Sequence, residues 1–127
     1  MNLRPFNGRD PRASRRVSVH KNLHREEWAL KALDGPHKGT VVAYADRVGL
    51  TGAVMHVGEK ARRKIAAGAA RSVHAWVIGT LADVTLTTPC RISYRPHERP
   101  EFFRVDDGRA VWHAPSVLFT DAAYIES

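Results

Sequence analysis

The sequence predicts an α+β fold, a mostly antiparallel β-sheet with one amphipathic basic helix packed on it. Three observations carry this expectation. Several short segments alternate apolar and polar residues with the two-residue period of a half-buried strand. Turn-forming clusters separate them, Asp34-Gly35-Pro36-His37-Lys38-Gly39 and Asp106-Asp107-Gly108 above all. One longer segment, Gly58 to Trp76 (GEKARRKIAAGAARSVHAW), carries the helical period instead. With 127 residues the chain makes a single domain. The expected division is a flexible basic arm over 1–16 and one α+β domain over 17–127.

The elements are justified in chain order. Residues 1–16 lack periodicity and contain Pro5, Asn7, Gly8 and Pro11, which marks a flexible arm or one ordered on a partner. Val17 to Leu33 reads as a hairpin. Val17 and Val19 alternate with Ser18 and His20; Trp28, Leu30 and Ala32 alternate with Ala29 and Lys31; the polar stretch KNLHREE holds the turn. Thr40 to Asp46 reads as a strand, and Val48 to Val57 as another whose Gly49 and Gly52 mark a bulge or a close backbone approach.

Over Gly58–Trp76, a helical projection gathers Ile65, Ala66, Ala69 and Val73 on one side. Lys60, Arg63, Lys64, Arg71 and His74 gather on the other. Arg62 falls on the apolar side, where it either snorkels outward or is held by a carboxylate. Gly58 is an acceptable N-cap and Glu59 suits the positive end of the dipole. The small residues Ala66, Gly68, Ala69 and Ala70 would bring this helix close to its sheet.

Trp76 to Val84 then reads as a strand with Trp76, Ile78 and Thr80 on one face. In Cys90 to Arg95, Cys90, Ile92 and Tyr94 point inward and Arg91, Ser93 and Arg95 outward. Two prolines stiffen the loop 95–100. Phe102–Val105 and Arg109–His113 flank the Asp-Asp-Gly turn, and Ser116 to Ile125 is apolar enough for a last strand or a short helix.

Charge is unevenly spread over the net +7. Five arginines against Asp10 give the first sixteen residues +4, and five cations against Glu59 give 59–71 another +4. From Glu98 onward three arginines face six carboxylates, a balance of −3. A basic arm beside a basic helix is the footprint of a polyanion binder, and equally of a solvated, soluble surface. The single cysteine, Cys90, allows no internal disulfide. No apolar run is long enough for a membrane span and the first residues lack a signal-peptide core, so a cytoplasmic location is the expectation.

The candidate site residues follow from this layout. In a strand His20, Asn22 and His24 share one face, where imidazoles and an amide could contact an anion, act as acid and base, or close a turn. Lys60, Arg63, Lys64 and Arg71 form the cationic stripe that would contact phosphates without reading bases. Tyr94 and Arg95, on the stiff loop with His97, could stack on a base and hold a phosphate. No third metal ligand stands at diagnostic spacing, and no phosphate-binding loop, nucleophile elbow or zincin motif is present. No metal, cofactor or catalytic residue is therefore assigned.

Three segments together, VHKNLH (19–24), VVAYADRVGL (41–50) and the basic stretch ending in SVHAWVIGTL (72–81), resemble a set of small uncharacterised proteins encoded by tailed bacteriophages. Those carry HKNLH-like, VxAHAD-like and VHAFVxG-like segments in the same order. Tyr44 stands here where His is common and Trp76 where Phe is common. Arg95 in YRP (94–96) replaces the Asn of a YNP-like element. The resemblance covers roughly 17–100 and implies a phage origin; it carries no activity with it.

Two function classes fit. The first is a phage-encoded, non-enzymatic binding protein for phosphate-bearing ligands, nucleic acid or nucleotide, including sponges that sequester host defence signals. The second is a virion accessory or host-protein-binding module, for which homo-oligomerisation or a virion location would be expected. A small nuclease using His20 and His24 is a third reading.

Overall fold

Alternation along the chain is realised as strands, and pairing between them sets where each side chain faces. The computed structural model describes residues 2–22, 25–57, 63, 75–93 and 102–127. In order, the strands are β1 (Arg4–Pro5), β2 (Val17–Asn22), β3 (Glu27–Ala32), β4 (Val41–Ala45), β5 (Val48–Val57) and β6 (Ala75–Leu81). They continue with β7 (Pro89–Ile92), β8 (Phe102–Phe103), β9 (Ala110–Val111), β10 (His113–Phe119) and β11 (Ala123–Glu126). Nine of them form one sheet in the order β1-β4-β3-β2-β6-β5-β10-β11-β7, and β8 pairs with β9. Every pairing is antiparallel.

This corrects the α+β expectation to an all-β fold among the described residues. There no helix reaches two turns, and Pro11–Ala13 forms a short 3₁₀ turn under the Asp10 cap. The predicted helix extends to Trp76, where the predicted strand 76–84 also begins; β6 starts at Ala75, one residue before that strand. The reason lies in non-local pairing. Val57 pairs Ala75, His56 pairs Trp76 and Val19 pairs Val77. Ala75, Val77 and Gly79 are buried while Trp76, Ile78 and Thr80 are more exposed, the period of a strand. Apart from Arg63, which is exposed, the rest of the predicted helix, residues 58–62 and 64–74, lies outside the described residues.

The 17–33 hairpin forms as β2–β3, with Val17 opposite Ala32 and Asn22 opposite Glu27. The bulge expected in β5 lies between Thr51 and Val54, where Gly52 takes φ 57°. The Asp-Asp-Gly turn joins β8 to β9 with Gly108 at φ 71°. Ser116–Ile125 resolves into two strands, β10 and β11. Segment 2–16 lies on the sheet. β1 pairs with β4, Arg9 donates to the Val41 carbonyl at 2.9 Å, and the Arg15 and Arg16 amides donate to the Asp34 carboxylate.

One face of the sheet is dry. Val17, Val19, Leu30, Ala43, Leu50, Met55, Val77, Val117 and Phe119 are buried there. Each large aliphatic or aromatic side chain so buried is worth about 1.5–3 kcal/mol. The sheet folds over this face. Trp28 of β3 meets Phe119 of β10 with ring centroids 4.5 Å apart, although β2, β6 and β5 lie between the two strands. In a flat sheet that separation would be about 19 Å.

Candidate nucleic-acid interface

The outer face of the sheet is built by the residues that alternate with the core. Tyr44 of β4 is opposite Ala29 of β3, and Ala29 is opposite His20 of β2. The pairing of Val19 with Val77 sets His20 beside Trp76 of β6, and Trp76 is opposite His56 of β5. A first row therefore runs Tyr44, Ala29, His20, Trp76, His56. A second row beside it runs Val41, Lys31, Ser18, Ile78, Val54, His113.

Between the rows lies an open cleft of about 470 Å³ lined by Ser18, His20, Lys31, Leu33, Gly39, Val41 and Trp76. The imidazole of His56 stacks on the Trp76 indole, with centroids 5.8 Å apart and planes 9° from parallel. Burial holds the His56 imidazole below its usual pKa, and His113 and Arg16 nearby push it in the same direction.

At the β4 end of the first row sits a second stack. The Arg25 guanidinium lies 4.2 Å from the Tyr44 ring centroid and 5.7 Å from that of Phe6. Phe6 meets Tyr44 edge to face at 5.4 Å, and Arg9 lies 5.9 Å from Phe6. Arg4 is neutralised beside it by Glu27 at 2.5 Å and Asp46 at 3.4 Å.

A further cleft of about 550 Å³ opens at the seam, lined by Lys21, Glu26, Trp28, Asp46, Thr120 and Asp121. Its carboxylates outnumber its one lysine, and the Lys21 ammonium lies 4.8 Å from the Trp28 ring. Among the described residues no group of three His, Cys, Asp or Glu side chains is placed to hold a metal ion.

His20 and Asn22 fall on the same outer face, and Asn22 also closes the β2–β3 turn by accepting from the Arg25 amide at 3.1 Å. Arg63 is exposed. His24, Lys60, Lys64, Arg71, Tyr94 and Arg95 lie outside the described residues. Sequence reasoning did not select Tyr44, Lys31, His56, Trp76 or His113 as site residues. Their alternation was visible, but their meeting depends on β2 pairing with β6 across more than fifty residues of chain.

The model of the Mycobacterium phage L5 gene 82 protein family matches residues 10–127. The chain belongs to that family. The Mycobacterium phage L5 gene 82 protein itself is 29% identical over 115 residues, covering 84% of this chain and 91% of the relative. The phage kinship implied by the sequence is thereby shown at the level of family, and the match takes in every strand described above except β1. No solved structure matches the chain.

Proposed function

We propose that this gene 82 family member is a non-enzymatic binding protein for phosphate-bearing ligands, nucleic acid foremost, and that it uses the outer face of β4, β3, β2, β6 and β5. The supporting observation is the Trp76–His56 stack beside the cleft that Lys31 and His20 line. A ring at a strand surface offers a face to any base, and neighbouring cations offer contacts to phosphate. Arg16 adds to the cationic side of that face, and the chain's net charge of +7 favours approach by polyanions.

Fluorescence anisotropy with labelled oligonucleotides and nucleotides, titrated at several salt concentrations, tests the reading. Binding should weaken as salt rises, and Lys31→Ala should reduce the slope of log affinity against log salt by about one. Trp76→Ala should weaken binding at every salt concentration. Absence of salt-sensitive binding below high micromolar, by folded wild-type protein, would overturn it.

A further inference from the structure

The outer face of the sheet continues past β5 onto β10, β11 and β7. Val117, Phe119, Ala123 and Ile125 are buried in the core, so Leu118 and Tyr124 between them face outward, and these two are direct cross-strand partners. They form the floor of an open pocket of about 210 Å³. Its wall comes from Thr85 and Leu86, in the segment between β6 and β7, and from Pro89 at the start of β7. That segment is fastened at both ends. Gly49 lies opposite Leu118, and its missing side chain leaves room for Ala82 and Val84 to lie against the sheet. The Ala82 amide donates to the Gly49 carbonyl there. At the other end Thr87 and Thr88 donate to the Glu126 carboxylate, and the Ser127 amide donates to the Thr88 carbonyl at 2.8 Å. The pocket is therefore built before any ligand arrives, which spares the ligand the cost of ordering it.

Arg47, in the turn that enters β5, is the one charged side chain among the described residues that line this pocket. It is exposed and has no hydrogen bond, ion pair or ring contact among the described residues. The adjacent Asp46 is paired instead with Arg4 at 3.4 Å. An unpaired guanidinium beside an apolar floor matches a ligand that is apolar at one end and anionic at the other. A cavity of about 150 Å³ holds one benzene ring, so this pocket has room for one ring and its substituent. We propose that it binds a small organic anion, with one aromatic ring laid on Leu118 and Tyr124 and one carboxylate or phosphate held by Arg47. The site shares no lining residue with the cleft at Lys31 and stands independently of nucleic-acid binding there.

The test is titration of the isotope-labelled protein, followed by amide NMR shifts. Phenyl phosphate and phenylacetate are the probes, with benzyl alcohol (a ring without charge) and inorganic phosphate (charge without a ring) as controls. Saturable shifts should appear around Arg47, Thr85, Leu86, Leu118 and Tyr124, with an affinity of about millimolar or tighter for ligands this small. Binding of either probe supports the site, and the tighter one names the anion it takes. Arg47→Gln should weaken binding about tenfold or more, Arg47→Lys should recover part of the loss, and Lys31→Ala should change nothing. Unchanged circular dichroism spectra verify that the variants keep the fold. Benzyl alcohol or inorganic phosphate bound as tightly as the probes, undiminished affinity in Arg47→Gln, or shifts confined to the Lys31 cleft would overturn the site while leaving nucleic-acid binding standing. So would the absence of saturable shifts with both probes. Failure of oligonucleotides to bind would overturn the nucleic-acid reading and leave this site standing.

Discussion

The Trp28 indole N–H donates a 2.5 Å hydrogen bond to the carbonyl oxygen of Thr120, 92 residues further along the chain. The Trp28 ring also packs on Phe119 next to that carbonyl. One side chain of β3 thus fastens the end of β10 from the far side of three intervening strands. The hydrogen bond fixes the closure and the aromatic contact keeps it dry.

Trp28→Phe should retain the ring contact and lose the donor. The Thr120 carbonyl would then lack this partner in a partly buried seam. The expected cost is about 1–3 kcal/mol of unfolding free energy. Urea denaturation of the two proteins measures it; equal midpoints would show that the seam is held by packing alone.

Gly49→Ala should also destabilise, through a different cause. A Cβ at Gly49 would stand 2.3 Å from the Ala82 carbonyl oxygen and 3.0 Å from the Val84 Cβ. The Ala82 amide donates to the Gly49 carbonyl at 3.0 Å, so the backbone cannot retreat without straining that bond. Overpacking of this kind costs about 1–3 kcal/mol. Chemical denaturation with circular dichroism should show a lower midpoint, whereas Gly108→Ala meets no atom within 4 Å and carries only the strain of its positive φ.

Stability should fall in acid between about pH 4.5 and 2. The Glu126 carboxylate accepts from the Thr88 hydroxyl and amide at 2.6 and 2.8 Å, and from the Thr87 hydroxyl and amide at 2.7 and 3.0 Å. These bonds lower its pKa from 4.5 to about 2. Asp106, held by two bonds from Arg104, is likewise lowered to about 2. A carboxylate depressed in the folded state stabilises above its unfolded pKa and ceases to do so as pH falls through the folded one. Thermal melts across that range should therefore decline for wild type and decline less steeply for Glu126→Gln. Parallel curves would show that Glu126 does not contribute to the linkage.

Much of the sheet was legible because burial on one face imposes a two-residue period. Val17/Val19, Leu30/Ala32 and Cys90/Ile92 announce their strands without help from any partner. Ala75 did not. Locally it continues an alanine-rich stretch of good helix formers, and only its pairing with Val57 makes it strand. Arg4–Pro5 was equally hidden, since two residues show no period and proline argues against a strand interior. For the candidate site, His20 was visible as a polar residue on an exposed face. Trp76 and Tyr44 read as ordinary strand aromatics until the order β4-β3-β2-β6 set them in one row.

The short β1 strand gives the sheet a deliberate stopping place. The Phe6 amide points toward β4 and donates to Val42 at 2.9 Å. Neighbouring amides in a strand point to opposite sides, so the outward position belongs to Pro5, whose nitrogen carries no hydrogen. An incoming strand finds no donor there. The family match begins at residue 10, downstream of β1. A chain trimmed to its matched stretch would keep the rest of the sheet but bare the flank of β4, turning a terminated edge into a template on which further copies could polymerise.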